Sequence, residues 1–250
     1  MKAFKLIFGR IWAFWGLLSF FLTFLIFYLP SMLAYLMPPY SGQIYFLQVA
    51  KIWMRIWLFL IGCPIKISGR ESFQKGKNYV VVFNHNALLD PPLSCPFSAF
   101  PNKTIAKKSF VKIPFFGWYY RKGAVLIDRK NEVSRQRSFE EMKRVLLTGM
   151  HMCIYPEGTR NRTNEPMKSF YNGAFKLAVD CNKEVIPCVI TGTRKAMPPH
   201  IPFYLIPAKL TMHFLNAEAP GTNVEELKTR VRSKMIEAYT KQLENQKSKK

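Results

Sequence analysis

A chain of 250 residues with 37 lysines and arginines against 15 aspartates and glutamates, a formal charge of +22, calls for an anionic partner: nucleic acid, an anionic membrane surface or an acidic substrate. Its five cysteines are scattered without paired spacing, which argues against a disulfide framework and fits a reducing compartment. The length suits one sizeable domain with an appendage.

The first 62 residues contain Lys2, Lys5, Arg10, Lys51 and Arg55 and no acidic side chain. Between them, 11–29 is a run of nineteen uncharged residues that continues uncharged through Pro30 to Gln48, long enough to cross a bilayer core. A secretory signal fits less well, because its apolar region spans only about 7 to 15 residues before a small-residue cleavage site. Trp12, Trp15 and Tyr28 near the ends of the run suit the headgroup zone. The stretch 44–61 is different in kind. Gln48, Lys51 and Arg55 give it a polar stripe, so a helix there is expected to lie in the interface rather than span. Pro30 and the Pro38-Pro39 pair are expected to break the segments. A single crossing with its basic start inside would strand the basic remainder outside. Charge logic therefore favours a hairpin or re-entrant anchor over 1–62, with the rest of the chain, 63–250, on the cytoplasmic face of the cell membrane.

Beyond residue 63, short apolar runs alternate with helical patterns. The expected strands are 79–83, 104–107, 124–127, 152–155, 185–190 and 210–215, mostly uninterrupted as when both faces are buried. The clearest helices between them are 139–147 and 172–182. The expected class is therefore α/β, a layered sheet with flanking helices, preceded by an N-terminal helical membrane anchor. A last helix is expected after Asn223, a plausible cap, with Glu225 and Glu226 in its first turn. Val224, Leu227, Val231, Met235, Tyr239 and Leu243 give it one apolar face, and the lysine-rich end is expected to fray.

Four blocks carry chemistry. The first, Asn84-His85-Asn86-Ala87-Leu88-Leu89-Asp90, follows the apolar run 79–83 and runs into Pro91-Pro92. A histidine at the mouth of a strand with a carboxylate nearby is the minimum for a general base held in one tautomer. Five residues along a helix would set His85 and Asp90 about 140° apart. The segment must therefore turn, with His85 at the strand end and Asp90 at or just before a helix whose first positions accept the prolines. Asp90 as a plain N-cap is the competing role, and the two can coexist. The second block is Gly123 to Arg129. The third, Tyr155-Pro156-Glu157-Gly158-Thr159-Arg160, offers a glycine for close backbone approach to an anion, a hydroxyl, and a guanidinium fork that matches phosphate. Taken alone it reads equally as a polar turn. The fourth is Val185-Ile186-Pro187-Cys188-Val189-Ile190.

In this order and at these separations the four blocks resemble the glycerolipid acyltransferase family, over roughly residues 65 to 215. The resemblance implies transfer of a fatty acyl group from acyl-carrier protein or acyl-coenzyme A to the free hydroxyl of lysophosphatidic acid, giving phosphatidic acid for phospholipid synthesis. It implies no metal and no cofactor. It assigns His85 as general base, with Asp90 holding the imidazole. Arg160 is implied to bind the acceptor phosphate in a site shaped by Glu157, Gly158 and Thr159, with Arg129 as a second phosphate contact. Lys107 is implied to lie near the reacting carbonyl, with Lys108 equally available. The chain departs from the family at Asn86, Tyr155 and Tyr171; relatives often carry lysine at the last of these. That departure leaves Lys168 to substitute, or a different lysolipid to be the acceptor.

Other classes fare worse. A lipid-cleaving serine hydrolase would show Gly-x-Ser-x-Gly, which is absent. His85, His151, His200 and His213 stand apart without a metal-ligand pattern; His151 and His213 read as strand-edge residues and His200 as a loop residue. The charge would suit a nucleic acid, but no recognition motif accompanies it and the apolar N-terminal region points to lipid. A non-catalytic basic membrane-binding protein is the remaining alternative, and the intact His85, Asp90 and Arg160 speak against it.

Overall fold

The computed structural model describes residues 2–128 and 130–247. Two helices open the chain, α1 (Lys2–Met32) and α2 (Pro39–Leu60), joined by a 3-10 turn at Leu33–Leu36. Seven strands among the described residues then form one sheet: β1 (Ile65–Ser68), β2 (Val80–Phe83), β3 (Asn102–Lys107), β4 (Ala124–Ile127), β5 (His151–Ile154), β6 (Val185–Thr191) and β7 (Leu210–Phe214). Their order is β1-β7-β6-β2-β5-β3-β4. Strands β6, β2, β5, β3 and β4 are mutually parallel. β7 runs antiparallel to β6 and carries β1 parallel to itself at the edge. The connections hold α3 (Asp90–Phe97), α4 (Phe116–Gly123), α5 (Glu132–Leu147), α6 (Gly173–Asp180) and α7 (Thr193–Ala196), and α8 (Val224–Lys247) follows the last strand.

This is the expected α/β layered sheet. β2, β5 and β6 are buried at every position, as central parallel strands covered on both faces must be. Alternation divides β2 between two layers. Val80 and Val82 join the core under α5, α6 and α8, while Val81 and Phe83, with Tyr79 just ahead of the strand, meet α2 and α3. The edge strand β1, absent from the expected set, is only four residues long and alternates half-buried with exposed positions. α5 begins two turns before its apolar part, where Asn131 Oδ1 accepts from Ser134 N at 2.8 Å and caps a polar first turn. The cap expected at Asn223 forms, its Oδ1 accepting from Glu225 N at 3.0 Å and Glu226 N at 3.2 Å. Leu227, Val231, Met235 and Tyr239 then bury against the sheet. The lysine-rich end lies outside the described residues.

α1 and α2 form an antiparallel hairpin, and one expectation about it is corrected. Pro30 does not end α1; it sits in the last turn, where a missing N–H costs one bond. α2 leaves Ile52, Ile56 and Phe59 exposed and turns the rest of its apolar side inward. It buries Phe46, Leu47, Trp53, Met54 and Trp57 against protein, because α1, α3 and the sheet present a matching apolar surface. Trp12 and Trp15 help to fasten the two helices together. Their indole N–H groups donate to Ile61 O and Leu60 O, each at 3.0 Å, satisfying carbonyls that the end of α2 leaves open. Gly16 makes room for Leu205, in the connection that leads into β7, since a Cβ there would lie 2.6 Å from that side chain. The opposite side of α1 leaves Phe4, Ile7, Phe14, Phe21, Leu25 and Leu29 more than half exposed. Among the described residues, Ala3–Leu36 is the one helical stretch long and apolar enough to cross a membrane.

His151 opens β5 and is buried. Its Nδ1 accepts from Tyr79 N at 3.2 Å, and its ring stacks on Tyr79 with centroids 5.8 Å apart. Burial pushes its pKa down to about 4, so the imidazole is neutral in the fold. The unfolded chain therefore binds more protons between the two pKa values, and the contribution is complete above about pH 6.5 and lost as pH falls toward 4. Denaturant titrations are expected to show on the order of 3 kcal/mol lost across this window. His151→Gln is expected to flatten that part of the profile; an unchanged slope would refute the assignment.

Candidate active site

The site lies at the carboxyl end of the parallel strands, where open α/β sheets place ligands. As β2 ends, Asn84 fastens it to β6: Asn84 Nδ2 donates to Ile190 O at 2.9 Å and Ile190 N donates to Asn84 Oδ1 at 2.7 Å. His85 follows, its side chain 16% exposed, with Nδ1 2.9 Å from Asp90 Oδ2. The same oxygen accepts from Asn86 N at 2.5 Å and Ala87 N at 2.7 Å. Asp90 is the first residue of α3, and no side-chain hydrogen bond caps that helix. Its carboxylate thus points back into the loop that precedes it. Pro91 and Pro92 occupy the first turn, where absent N–H groups cost nothing. A carboxylate oxygen already holding two backbone donors can only accept from the ring, so the network puts the proton on Nδ1 and leaves the Nε2 lone pair basic.

Tyr155 to Arg160 leave β5, the neighbour of β2, and the Tyr155 ring packs on the His85 ring with centroids 4.5 Å apart. Glu157 is fully buried. Its Oε1 accepts from His85 N at 2.7 Å and its Oε2 from Lys168 N at 3.0 Å. Burial raises its pKa, opposed by those two backbone donors. Asn161 N donates to His85 O at 2.6 Å, so two bonds on opposite sides of His85 tie the first block to the third. Gly158 adopts φ 70°, a left-handed conformation that favours glycine. Thr159 is exposed and its Oγ1 accepts from Lys168 Nζ at 2.7 Å. Arg160 is half-buried on the same loop.

The structure therefore brings His85, Asp90, Glu157, Gly158, Thr159 and Arg160 into one loop cluster. Lys107 reaches the same edge but stands apart. Strand register aligns Val81 with Cys153 and Cys153 with Thr104, which sets Lys107 level with Asn84 and two strands away, about 10 Å. It is exposed, and its backbone N–H donates to the Tyr120 hydroxyl at 3.1 Å. Lys108 begins a 3-10 turn beside it, also exposed. Arg129 lies outside the described residues; β4, which precedes it, pairs Ile127 with Lys107. Tyr171 is 71% exposed and tied to the site by its backbone alone, N to Pro156 O at 2.9 Å.

Three contributors escape pattern reading. Arg232 on α8 donates to Lys168 O and Met167 O, each at 3.1 Å, and holds the strand of loop that Glu157 grips. Arg194 on α7 donates to Thr163 O. Asn161 Oδ1 accepts from Thr163 N at 2.9 Å, folding the loop after Arg160. Only Asn161, by adjacency, could have been suspected. No cluster of three or more metal-ligating side chains occurs among the described residues. A concavity of about 1120 Å³ lies elsewhere, between β1, β7 and the end of α8, rimmed by Lys66, Lys195, Lys209 and Lys241.

The acyltransferase family model matches residues 64–191, just over half of the chain. A 1-acyl-sn-glycerol-3-phosphate acyltransferase of Chlamydomonas reinhardtii is 32% identical over 169 residues, 65% of this chain and 49% of the relative. One of Borreliella burgdorferi is 28% identical over 151 residues, 60% of each chain. The chain thus spans about half to three-fifths of the length of these curated relatives. The crystal structure of the 1-acyl-sn-glycerophosphate acyltransferase PlsC of Thermotoga maritima superposes with TM-score 0.78 at 24% identity, covering 96% of this chain and 97% of that one; at that identity the likeness shows the fold.

Proposed function

The chain belongs to the acyltransferase family, and from that premise we propose that it transfers a fatty acyl group from an acyl thioester to the free hydroxyl of lysophosphatidic acid. The observation that carries this reading is the shared carboxylate of Glu157, which joins the His85–Asp90 pair to the Gly158–Arg160 loop. A base and an anion-binding loop are thereby held as one unit. The acceptor oxygen attacks the thioester carbonyl carbon while its proton passes to His85 Nε2. The C–S bond then breaks, and the leaving thiolate takes that proton from the imidazolium. Asp90 stabilises the charged ring, as the acid does in hydrolase triads. No nucleophilic protein residue is needed, because the thioester is already activated. Arg160 binds the acceptor phosphate, with Lys168 supplying a second positive charge next to Thr159. Arg129 is a further phosphate contact, and Lys107 serves the reacting carbonyl.

The names of the relatives support lysophosphatidic acid as acceptor. The donor is an acyl-carrier protein or acyl-coenzyme A, both anionic and both suited to a chain of charge +22. Residues 1–62 serve as the membrane anchor and 63–250 as the catalytic domain, facing an anionic cytoplasmic leaflet. Transfer of labelled acyl groups in mixed micelles, with each donor and a panel of lysolipids, tests the reading. Preference for lysophosphatidic acid supports it; preference for another lysolipid keeps the chemistry and reassigns the headgroup, and no transfer from either donor returns the chain to the non-catalytic alternative. Arg160→Lys is expected to raise the acceptor KM about tenfold with a smaller change in kcat, because the bidentate fork is lost. Unchanged acceptor saturation would remove Arg160 from the phosphate site.

A further inference from the structure

Between β3 and β4 lies a segment that the proposed chemistry does not use. A 3-10 turn at Lys108–Lys112 leads through Ile113 to Phe115 into α4. Phe110, Ile113, Phe115 and Trp118 are 44%, 46%, 68% and 66% exposed, four large apolar side chains within nine residues. From Lys107 to Ile127 the sequence holds no acidic residue, and Lys107, Lys108, Lys112 and Arg121 are exposed around the patch.

The segment is built rather than loose. Phe116 N donates to Pro114 O at 2.6 Å around Phe115 at φ 59° and ψ −53°, a γ-turn of the rare, positive-φ kind. Such strain in a bulky residue persists only where the surroundings enforce it, and it gathers at functional places. Here it holds a phenyl ring out at the tip. Gly117 closes the turn, since a Cβ there would meet Val111 O at 2.1 Å. The inward side is anchored in the helical hairpin: Phe116 against Phe24 at 5.8 Å and Tyr119 against Trp53 at 5.4 Å. Phe115 itself lies edge-on to Tyr28 at 5.8 Å, and the Tyr35 hydroxyl donates to Trp118 O at 2.8 Å. Leu25 and Leu29, next to those anchoring residues on α1, are exposed as well, so the patch continues the outer apolar surface of α1.

Aromatic and aliphatic side chains at the tip, cations around the base and continuity with α1 fit a phospholipid leaflet with anionic headgroups. We propose that residues 108–118 are a second membrane-inserting element, whose tip enters the acyl region of the leaflet while Lys108 and Lys112 hold headgroup phosphates. The inference rests on the lipid acyl transfer proposed above and adds the face through which the site meets its leaflet. β3 ends at the carboxyl edge that also carries His85, so insertion sets that edge against the headgroups, and a lysolipid reaches the site laterally without crossing water.

The test uses tryptophan fluorescence of the full chain on phosphatidylglycerol–phosphatidylcholine vesicles containing lipids brominated at defined acyl positions. Trp118→Phe isolates the Trp118 signal by difference, and Trp12 and Trp15 on α1 report the anchor. Quenching of the Trp118 component by shallow bromines is the expected result. If that component is unquenched while the remaining signal is quenched, the anchor stands and the second element is overturned. If nothing is quenched, both are overturned. A companion variant, Ile113→Asp with Phe115→Asn, is expected to lose at least about tenfold in turnover on vesicles, as charge placed in a leaflet is costly. Its turnover on acceptor dispersed as monomers is expected to stay at the wild-type level, and equal losses on both substrates would instead make the segment structural. Should that variant fail to fold, the Trp118 comparison still decides.

Discussion

His85→Ala is expected to lower turnover by at least about a hundredfold while leaving the fold and vesicle association intact, since a positioned general base contributes about 10² to 10⁴. The geometry separates the loss of chemistry from a loss of structure. Asp90 Oδ2 keeps its bonds from Asn86 N and Ala87 N, and the backbone of residue 85 keeps its bonds to Glu157 and Asn161, because none of these uses the imidazole. The loop should therefore hold its shape around the missing ring, with Tyr155 losing only the ring face it packs on. The measurement is kcat at saturating acceptor and donor, beside a thermal melt. A variant that melts like the wild type and retains more than about a tenth of its turnover would remove His85 as base.

The pair was legible in the sequence because its spacing and the two prolines leave few conformations. A strand end, a turn and a proline-tolerant helix start are what His85 to Pro92 allow, and that is how they fold. The central strands were legible for a similar reason: burial on both faces turns β2, β5 and β6 into plain apolar runs. β1 was not, since Ile-Lys-Ile-Ser has only two apolar positions to bury and belongs to an edge. The first two helices show a different limit. Hydropathy reports the wish to leave water and says nothing of whether protein or lipid receives the side chain. Phe46 and Trp53 are buried in protein while Phe14 and Phe21 are exposed, and hydropathy does not tell these four aromatic side chains apart. A finer signal was present in Gly9, Gly16, Ser19 and Thr23, small residues on the inward side of α1 where Tyr204, Leu205 and Trp53 approach. Least legible were interactions that end on backbone atoms. The bonds from Arg232 to Lys168 O and from His85 N to Glu157 have no side-chain partner whose identity could betray them.

Glu157→Ala is expected to cost both stability and turnover, and the pattern of the two losses tells a positioning residue from a substrate contact. The carboxylate touches two backbone N–H groups, one on each side of the site, from a position with no exposure. Hydrogen bonds to a charged acceptor are worth about 1.5 to 3 kcal/mol each, and removing the acceptor also leaves two donors unpaired in a buried place. The melting temperature should fall markedly. Turnover should fall by about a hundredfold, because His85 is aimed by the backbone that Glu157 fixes, and a displacement of about 1 Å in a reacting group costs that much. Glu157→Gln supplies the graded case. Its amide oxygen can satisfy one N–H, but its amide nitrogen meets the other donor head-on, so it should fall between wild type and alanine in both melting temperature and kcat. The acceptor KM should move less than kcat in both variants, since Arg160 and Lys168 retain their charges. If instead the acceptor KM rises while kcat and the melting temperature hold, Glu157 contacts the substrate directly, and the account of a carboxylate that aligns the base with the phosphate loop fails.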